Sequence, residues 1–294
     1  MARADAPGLF RTRVLVVAAG FLAAGAALAD SKELLPLWEF GIGLGYAHLP
    51  DYRGSDESHS YLLPFPLPVY RGEFFKSDRE GVRAQFLDSR YVELELSAGA
   101  TVPVNSKKNH AREGMPGLRP TLELGPAIKV HLAHVGEARP GERDLELDLR
   151  MPVRVAVNWQ DGGPRRVGTI AFPSLALDQK IPFAGSRWNL GVLAGGYFAD
   201  RGYHEYFYGV KPEFATPERP AYVARGGFSG WQAVVALSTT YARRTWVGGF
   251  VKADWLNGAV FQDSPLVRRN TNLSFGFGVS HIFATSDRQV EVMQ

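Results

Sequence analysis

The feature that most constrains this chain is a strict period-two alternation, repeated along most of its length. Trp38, Phe40, Ile42, Leu44 and Tyr46 alternate with Glu39, Gly41, Gly43 and Gly45. Val92, Leu94, Leu96 and Ala98 alternate with Glu93, Glu95, Ser97 and Gly99. The pattern returns in 122–132, where Glu123 and Lys129 sit on the polar flank, and in 145–157, where Glu146, Asp148, Arg150 and Arg154 do. Near the end, Leu273, Phe275, Phe277 and Val279 alternate with Ser274, Gly276, Gly278 and Ser280. Successive strand residues point to opposite faces, so each run reads as a strand with one oily and one polar flank, and helical spacing fits none of them.

A soluble sandwich with one wet face would also alternate. Three features point to lipid. The runs last about 9–14 residues, near the roughly 9–11 needed to cross a bilayer as tilted strands, whereas soluble strands average about 5–6. The polar flank mixes Gly and Ser with charges of both signs, which suits a crowded lumen. Aromatics mark the strand ends: Trp38 and Tyr46, Trp188 and Phe198, Trp231 and Tyr241, Trp255, Phe283, as in the interfacial girdles of membrane barrels. The expected fold is all-β, an antiparallel transmembrane β-barrel.

The N-terminus reads as an export signal. Arg3, Arg11 and Arg13 precede the apolar run 14–28, and Ala27-Leu28-Ala29 has the small-x-small form of a cleavage site. The run is too short for a spanning helix, which needs roughly 20 residues. The expected organisation is a signal peptide over 1–29, a barrel over 30–283 and a periplasmic tail over 284–294. Removal of the signal would lower the formal charge from +3 to about +1. The basic balance therefore gives no support to a nucleic-acid partner. The chain has no Cys, which excludes disulfides, thiolate metal sites and Cys nucleophiles.

Long polar connections at 49–59, 105–117, 158–166, 201–227 and 257–269 alternate with short ones at 71–72, 88–90, 182–186 and 243–244. Long loops belong outside the cell and short turns in the periplasm. With a brief pair of strands turning over at 77–80, and a longer periplasmic turn at 133–142, the count is twelve strands, with ten as the fallback. Segment 201–227 would supply any plug or lid.

Specific residues carry a resemblance. Trp38, Gly43 and Tyr46 in the opening strand, then Pro50-Asp51-Tyr52-Arg53-Gly54-Ser55-Asp56, the proline ladder Pro64, Pro66, Pro68, then Tyr208-Gly209-Val210 and Asp263-Ser264-Pro265 resemble the MltA-interacting protein (MipA/OmpV) family over nearly the whole chain after the signal. The resemblance implies an outer-membrane barrel of a Gram-negative bacterium. The family's namesake is described as a scaffold that brings a lytic transglycosylase to a murein synthase, and some relatives are linked to adhesion or to antibiotic uptake and susceptibility. No family-wide catalytic residue carries over. Arg53 stands where relatives often have an acidic residue, and the chain continues past Phe283, where such barrels usually end.

The polar flanks define the site residues: Glu93, Glu95, Glu123, Lys129, Glu146, Asp148, Arg150, Arg154, Lys252 and Asp254 form an expected lumenal charge network. Glu93 and Glu95 lie about 7 Å apart on one face, a spacing a glycosidase pair could use. Inward cations offer the better account, since buried charges persist when paired. Ser280 and His281 are adjacent in a strand, face opposite sides and cannot form a nucleophile–base contact. His131 and His134 are loosely placed for a metal, and no metal site or cofactor is expected. Lys107, Lys108, His110 and Arg112 make a basic loop, read as solvated or as facing lipopolysaccharide. Expected partners are outer-membrane lipid, lipopolysaccharide and the murein hydrolase and synthase, around a monomeric barrel. The weighed functions are a scaffold, a narrow channel or small-molecule-binding barrel, and an envelope lipid hydrolase for which no residue geometry is found.

Overall fold

The computed structural model describes residues 32–71, 75–78, 81–84, 87–88, 91–139, 142–160, 162–183, 186–242 and 244–293. The expected signal peptide lies outside them, as do parts of the expected turns at 71–72, 77–80, 88–90, 182–186 and 243–244.

The elements are β1 (Lys32–Pro36), β2 (Trp38–Pro50), β3 (Ser58–Arg71), β4 (Phe75–Asp78), β5 (Gly81–Ala84), β6 (Leu87–Asp88), β7 (Val92–Ala100), β8 (Leu122–Arg139), β9 (Glu142–Gln160), β10 (Gly163–Ala171), β11 (Ser174–Phe183), β12 (Ser186–Ala199), helix α1 (Arg201–Tyr208), β13 (Gly227–Tyr241), β14 (Thr245–Trp255), β15 (Thr271–Thr285) and β16 (Gln289–Met293). Among the described residues every strand pairing is antiparallel.

One sheet runs β5-β4-β3-β2-β15-β14-β13-β12-β10-β9-β8-β7-β6, with β11 below β10 in the same berth between β9 and β12. Phe172 and Pro173 interrupt that strand, because proline has no donor for a ladder. The first and last long strands, β2 and β15, are hydrogen-bonded from Phe275↔His48 to Thr285↔Glu39. At the other end of the path β5 lies alongside β7. The sheet therefore curls round into a barrel. Beneath it, β1 and β16 pair as a separate two-stranded ribbon, from Lys32↔Met293 to Pro36↔Gln289.

The burial pattern is inside out. Leu273, Phe275, Phe277 and Val279 are 43–63% exposed, while Asn272, Ser274 and Ser280 between them are at most 5% exposed. Phe40, Ile42, Leu44, Val235, Leu237 and Val251 repeat the outward oily face. Water would penalise such a surface heavily, whereas hydrocarbon favours it. No helix among the described residues is long and apolar enough to cross a membrane; the crossing is by strands. Trp38, Trp159, Phe198, Trp231, Tyr241, Trp255 and Phe283 stand exposed. Trp188 is half-exposed.

Two expected loops are strands. β9 and β10 turn tightly, with Gly163 opposite Gln160, and Gly162 and Gly163 both adopt positive φ. The 133–142 segment continues the β8–β9 ladder as far as Arg139↔Glu142. Both stretches are rich in Gly, Pro and charged residues, which reads as loop in a sequence. A hairpin projecting beyond the bilayer meets water on every side and keeps its ladder with such residues.

Candidate functional site: a charged lumen under a loop lid

The loops opposite the chain termini fold over the barrel mouth and pack into one another. Asp200 starts α1 by accepting a hydrogen bond from the Tyr203 N–H, a standard N-cap. The helix then presents Tyr203, His204, Phe207 and Tyr208 inward. Tyr208 stacks on Phe261 with ring centroids 3.7 Å apart. Around them Tyr52, Val104, Leu118, Val210, Leu256 and Leu266 complete an apolar core drawn from four separate connections. The 201–227 segment is thus one wall of a shared lid, and the other loops supply the rest.

Polar latches tie the first loop into this core. The Tyr52 hydroxyl donates to the Leu266 carbonyl (2.8 Å) and the Tyr208 hydroxyl to the Arg53 carbonyl (2.9 Å). The Ser264 hydroxyl donates to the Tyr208 carbonyl (2.8 Å). Buried Asp51 accepts from the Asn109 amide (2.7 Å) and pairs with His59 (2.6 Å). Asn272 clamps the turn by accepting from the Gly54 N–H (2.6 Å) and donating to the Ser55 carbonyl (2.7 Å). Gly54 has φ +96, and a Cβ there would lie 2.9 Å from Leu256, so both conformation and space call for glycine.

These contacts explain why the motif residues are scattered in sequence. Asp51, Tyr52, Gly54, Ser55, Tyr208, Val210 and Ser264 meet in the lid, and Gly209 lets the chain leave α1 where a Cβ would be 2.5 Å from Glu205. Pro265 is half-buried beside them, and Asp56 and Asp263 are exposed. Trp38, Gly43 and Tyr46 lie away from the lid, on the β2 wall. Gly43 makes room for the Phe65 ring, which would be 2.3 Å from an added Cβ.

Under the lid lies a cavity of about 250 Å³ lined by Arg53, Glu123, Arg154, Tyr197, Lys252 and Ser274, among others. Arg53 reaches down from the first loop to Asp254 (2.8 Å) and lies 4.5 Å from the Tyr197 ring centroid. Lys252 also pairs with Asp254 (3.4 Å), and Gln232 donates to the same carboxylate (2.8 Å). Arg154 pairs with Glu123 (3.4 Å), which accepts from the Tyr203 hydroxyl (3.1 Å). Toward the termini a second cluster gathers Lys129 with Asp148 (3.1 Å), Glu146 (3.3 Å) and Glu93 (4.0 Å). Arg150 pairs with Glu95. The ten charged residues of the polar flanks therefore fall into two groups at different depths. Glu95 faces Arg150, and Glu93 faces Lys129, which it shares with Glu146 and Asp148.

His131 joins the second cluster, 2.8 Å from Asp148 and 3.1 Å from Glu146. These three offer ligand atoms within 4.8 Å of one another, yet the Lys129 ammonium already supplies the positive charge there. Alternation alone does not pair His131 with Asp148, because a bulge between His131 and Ala133 shifts the register. Ser280 is buried and His281 exposed, on opposite faces of β15. The basic-loop reading needs one correction: Arg112 is 3% exposed and donates to the Phe207 carbonyl (3.0 Å), so it is a strut of the lid and does not face lipopolysaccharide. Lys107 and Lys108 are exposed. His110 is hydrogen-bonded to Glu57, which raises its pKa. His204, by contrast, is held below the usual imidazole value by burial.

An antiparallel barrel with an oily exterior, a charged interior and a folded loop lid defines an outer-membrane β-barrel protein, and the chain is located in the outer membrane. It belongs to the MltA-interacting protein MipA family, whose model matches residues 42–283. It is 24% identical over 180 residues to the outer membrane protein OmpV of Vibrio cholerae serotype O1 and equally to the outer membrane protein Omp26La of Vibrio anguillarum. Each match covers 60% of this chain and 61% of the relative, so the chain spans somewhat under two thirds of the curated relatives' length. Among solved structures, an outer membrane channel from Pseudomonas putida F1 is 12% identical with a TM-score of 0.40, over 88% of this chain and 100% of that one.

Proposed function

We propose that the protein is a closed, monomeric barrel that anchors peptidoglycan-remodelling enzymes, a lytic transglycosylase and a murein synthase, at the periplasmic side of the outer membrane, and is not itself an enzyme. The observation that carries this reading is the loop core packed at the outer mouth above a lumen crossed by ion pairs, as suits an anchor better than a wide pore. The family name, with its reference to an MltA partner, supports the same assignment. In this reading residues 1–29 are removed on export, and the β1–β16 ribbon with the tail faces the periplasm. Immobilised barrel in detergent should retain a purified lytic transglycosylase of the MltA class; a barrel that retains neither it nor a murein synthase would refute the scaffold. Planar-bilayer recordings should show no steady conductance.

A second reading is a small-molecule-binding barrel. The cavity beneath the lid favours it, because Arg53, Arg154 and Lys252 converge there.

A further inference from the structure

A bulge in β8 brings two histidines to one face of the barrel wall. In an unbroken strand His131 and His134 would point to opposite faces, because their positions differ by an odd number. The register shifts between His131 and Ala133, so Leu132 is an extra residue in the ladder. His131 then stands opposite Asp148, and His134 opposite Glu146. Residues directly opposite each other in an antiparallel pair share a face, with Cβ atoms about 4.5–5.5 Å apart. Two imidazoles and two carboxylates therefore make a square on the inner side of two neighbouring strands.

Three corners of the square already converge. The His131 Nδ1 lies 2.8 Å from Asp148 Oδ1 and 3.1 Å from Glu146 Oε1, and the three residues offer ligand atoms within 4.8 Å of one another. A four-coordinate zinc with bonds of about 2.0–2.2 Å holds its donors roughly 3.3 Å apart. Shifts on the order of an ångström, within the range of side-chain rotation, would bring the trio to that spacing. The fourth corner, His134, is exposed at the end of the lumen nearest the chain termini.

The charge balance at this depth is negative. One ammonium, Lys129, serves Asp148 (3.1 Å), Glu146 (3.3 Å) and Glu93 (4.0 Å). Asp178 stands opposite Glu146 on its other side, and Lys180 follows on the same face of β11. Four carboxylates thus meet two ammoniums. The Asp148 side chain is 1% exposed, and its Oδ2 is ion-paired with Lys129 but accepts no hydrogen bond. Buried negative charge in excess is costly, and a divalent cation would supply the missing charge.

We propose that His131, His134, Glu146 and Asp148 form a binding site for a divalent transition metal of the zinc type at the end of the lumen nearest the chain termini. The donor set decides the class: imidazole nitrogens suit Zn²⁺ and its first-row neighbours, whereas Ca²⁺ and Mg²⁺ take shells of oxygen. On binding, the ligating nitrogen of each imidazole gives up any proton to solvent, and the Lys129 ammonium turns toward Glu93. The metal would tie β8 to β9 at the base of their projecting hairpin. The site goes beyond both readings of function given above, since neither the anchor nor the cavity under the lid requires it.

The test is isothermal titration of Zn²⁺ into the purified, untagged full-length barrel, stripped with EDTA and held in a non-ionic detergent. One saturable equivalent is expected, and Mg²⁺ at the same concentrations should give none. Loss of outer-shell partners alone costs about 10–100-fold in metal affinity, so H131Q and H134Q should each weaken zinc binding about tenfold or more. The double variant H131Q/H134Q should abolish the equivalent, while H110Q, at an exposed histidine of the lid, should leave it unchanged. Co²⁺ in place of Zn²⁺ should give the visible absorption of a four-coordinate site in the wild type and lose it in H131Q. All variants are compared as assembled barrels, identified by the folded band on gels. No saturable zinc binding, or an equivalent that survives H131Q/H134Q, would overturn the site. H134Q binding zinc as tightly as the wild type would overturn the four-residue square.

Discussion

Arg53 is the first loop's only cationic anchor in the lumen, and its removal should loosen the lid measurably. The guanidinium is 2.8 Å from an Asp254 carboxylate whose side chain is fully buried. Truncating one member of such a pair typically costs about 3–5 kcal/mol, because the other charge is left buried without compensation. Here Lys252 at 3.4 Å and Gln232 at 2.8 Å still reach Asp254 after Arg53→Ala, which lowers the expected loss to about 2–4 kcal/mol, or roughly 30- to 1000-fold in the unfolding equilibrium. The assay is reversible urea unfolding of the barrel in lipid or micelles, carried through R53A, D254A and the double variant. Coupling between the two positions should be at least about 1.5 kcal/mol. An R53A barrel within about 0.5 kcal/mol of wild type, or a cycle with no coupling, would refute the claim that this pair holds the loop in place.

Four further outcomes follow from the same geometry. Burial lowers the His204 imidazole pKa, while an opened lid would let it take a proton near its ordinary value of about 6.5; lid protection is therefore full above that pH and declines as pH falls. Hydrogen exchange across 201–227 should show that decline, and H204Q should flatten it. His110 has the opposite sign: its raised value gives a small stabilisation present at low pH and lost as pH rises through it. Gly125→Ala would set a Cβ 2.0 Å from the Val153 carbonyl, whereas Gly45→Ala meets nothing nearer than 3.6 Å; the first should cost about 1–3 kcal/mol or more and the second little, read as thermal shifts of the folded band on gels. Lys129→Met removes the cation shared by Glu93, Glu146 and Asp148 and should destabilise the barrel by about 3–5 kcal/mol in urea titrations, well beyond Lys107→Met on the exposed loop.

Much of the wall was legible because alternation is a local property. Leu273 to Val279 read as one oily flank in the sequence, and the same residues form the exposed face of β15. The polar flanks likewise named the charged residues that the lumen gathers, since a side chain's face follows from its parity within a strand. Their pairing partners were not legible. Lys129 reaches Asp148 only through the β8–β9 register, and a bulge at His131/Ala133 changes that register in a way no composition reveals. The lid was the least readable part. Tyr52 meets Leu266, and Asn109 meets Asp51, because closing the barrel brings four distant loops to one mouth. Arg112 illustrates the consequence: beside Lys107, Lys108 and His110 it looks like part of a solvated basic patch, yet long-range packing buries it under Phe207. Arg53 likewise finds its partner in Asp254 about two hundred positions away.

The central claim, that apolar flanks meet lipid and polar flanks line an enclosed interior, can be tested on β15 alone. The chain has no cysteine, so single cysteines at each position from Asn272 to Ser280 can carry a spin label without background. In bilayers, collision with dissolved oxygen should be high at Leu273, Phe275, Phe277 and Val279 and low at Asn272, Ser274, Gly276, Gly278 and Ser280, a period of two through the whole strand. Uniform accessibility, or oxygen reaching the Ser274 flank while the Phe275 flank stays shielded, would contradict it.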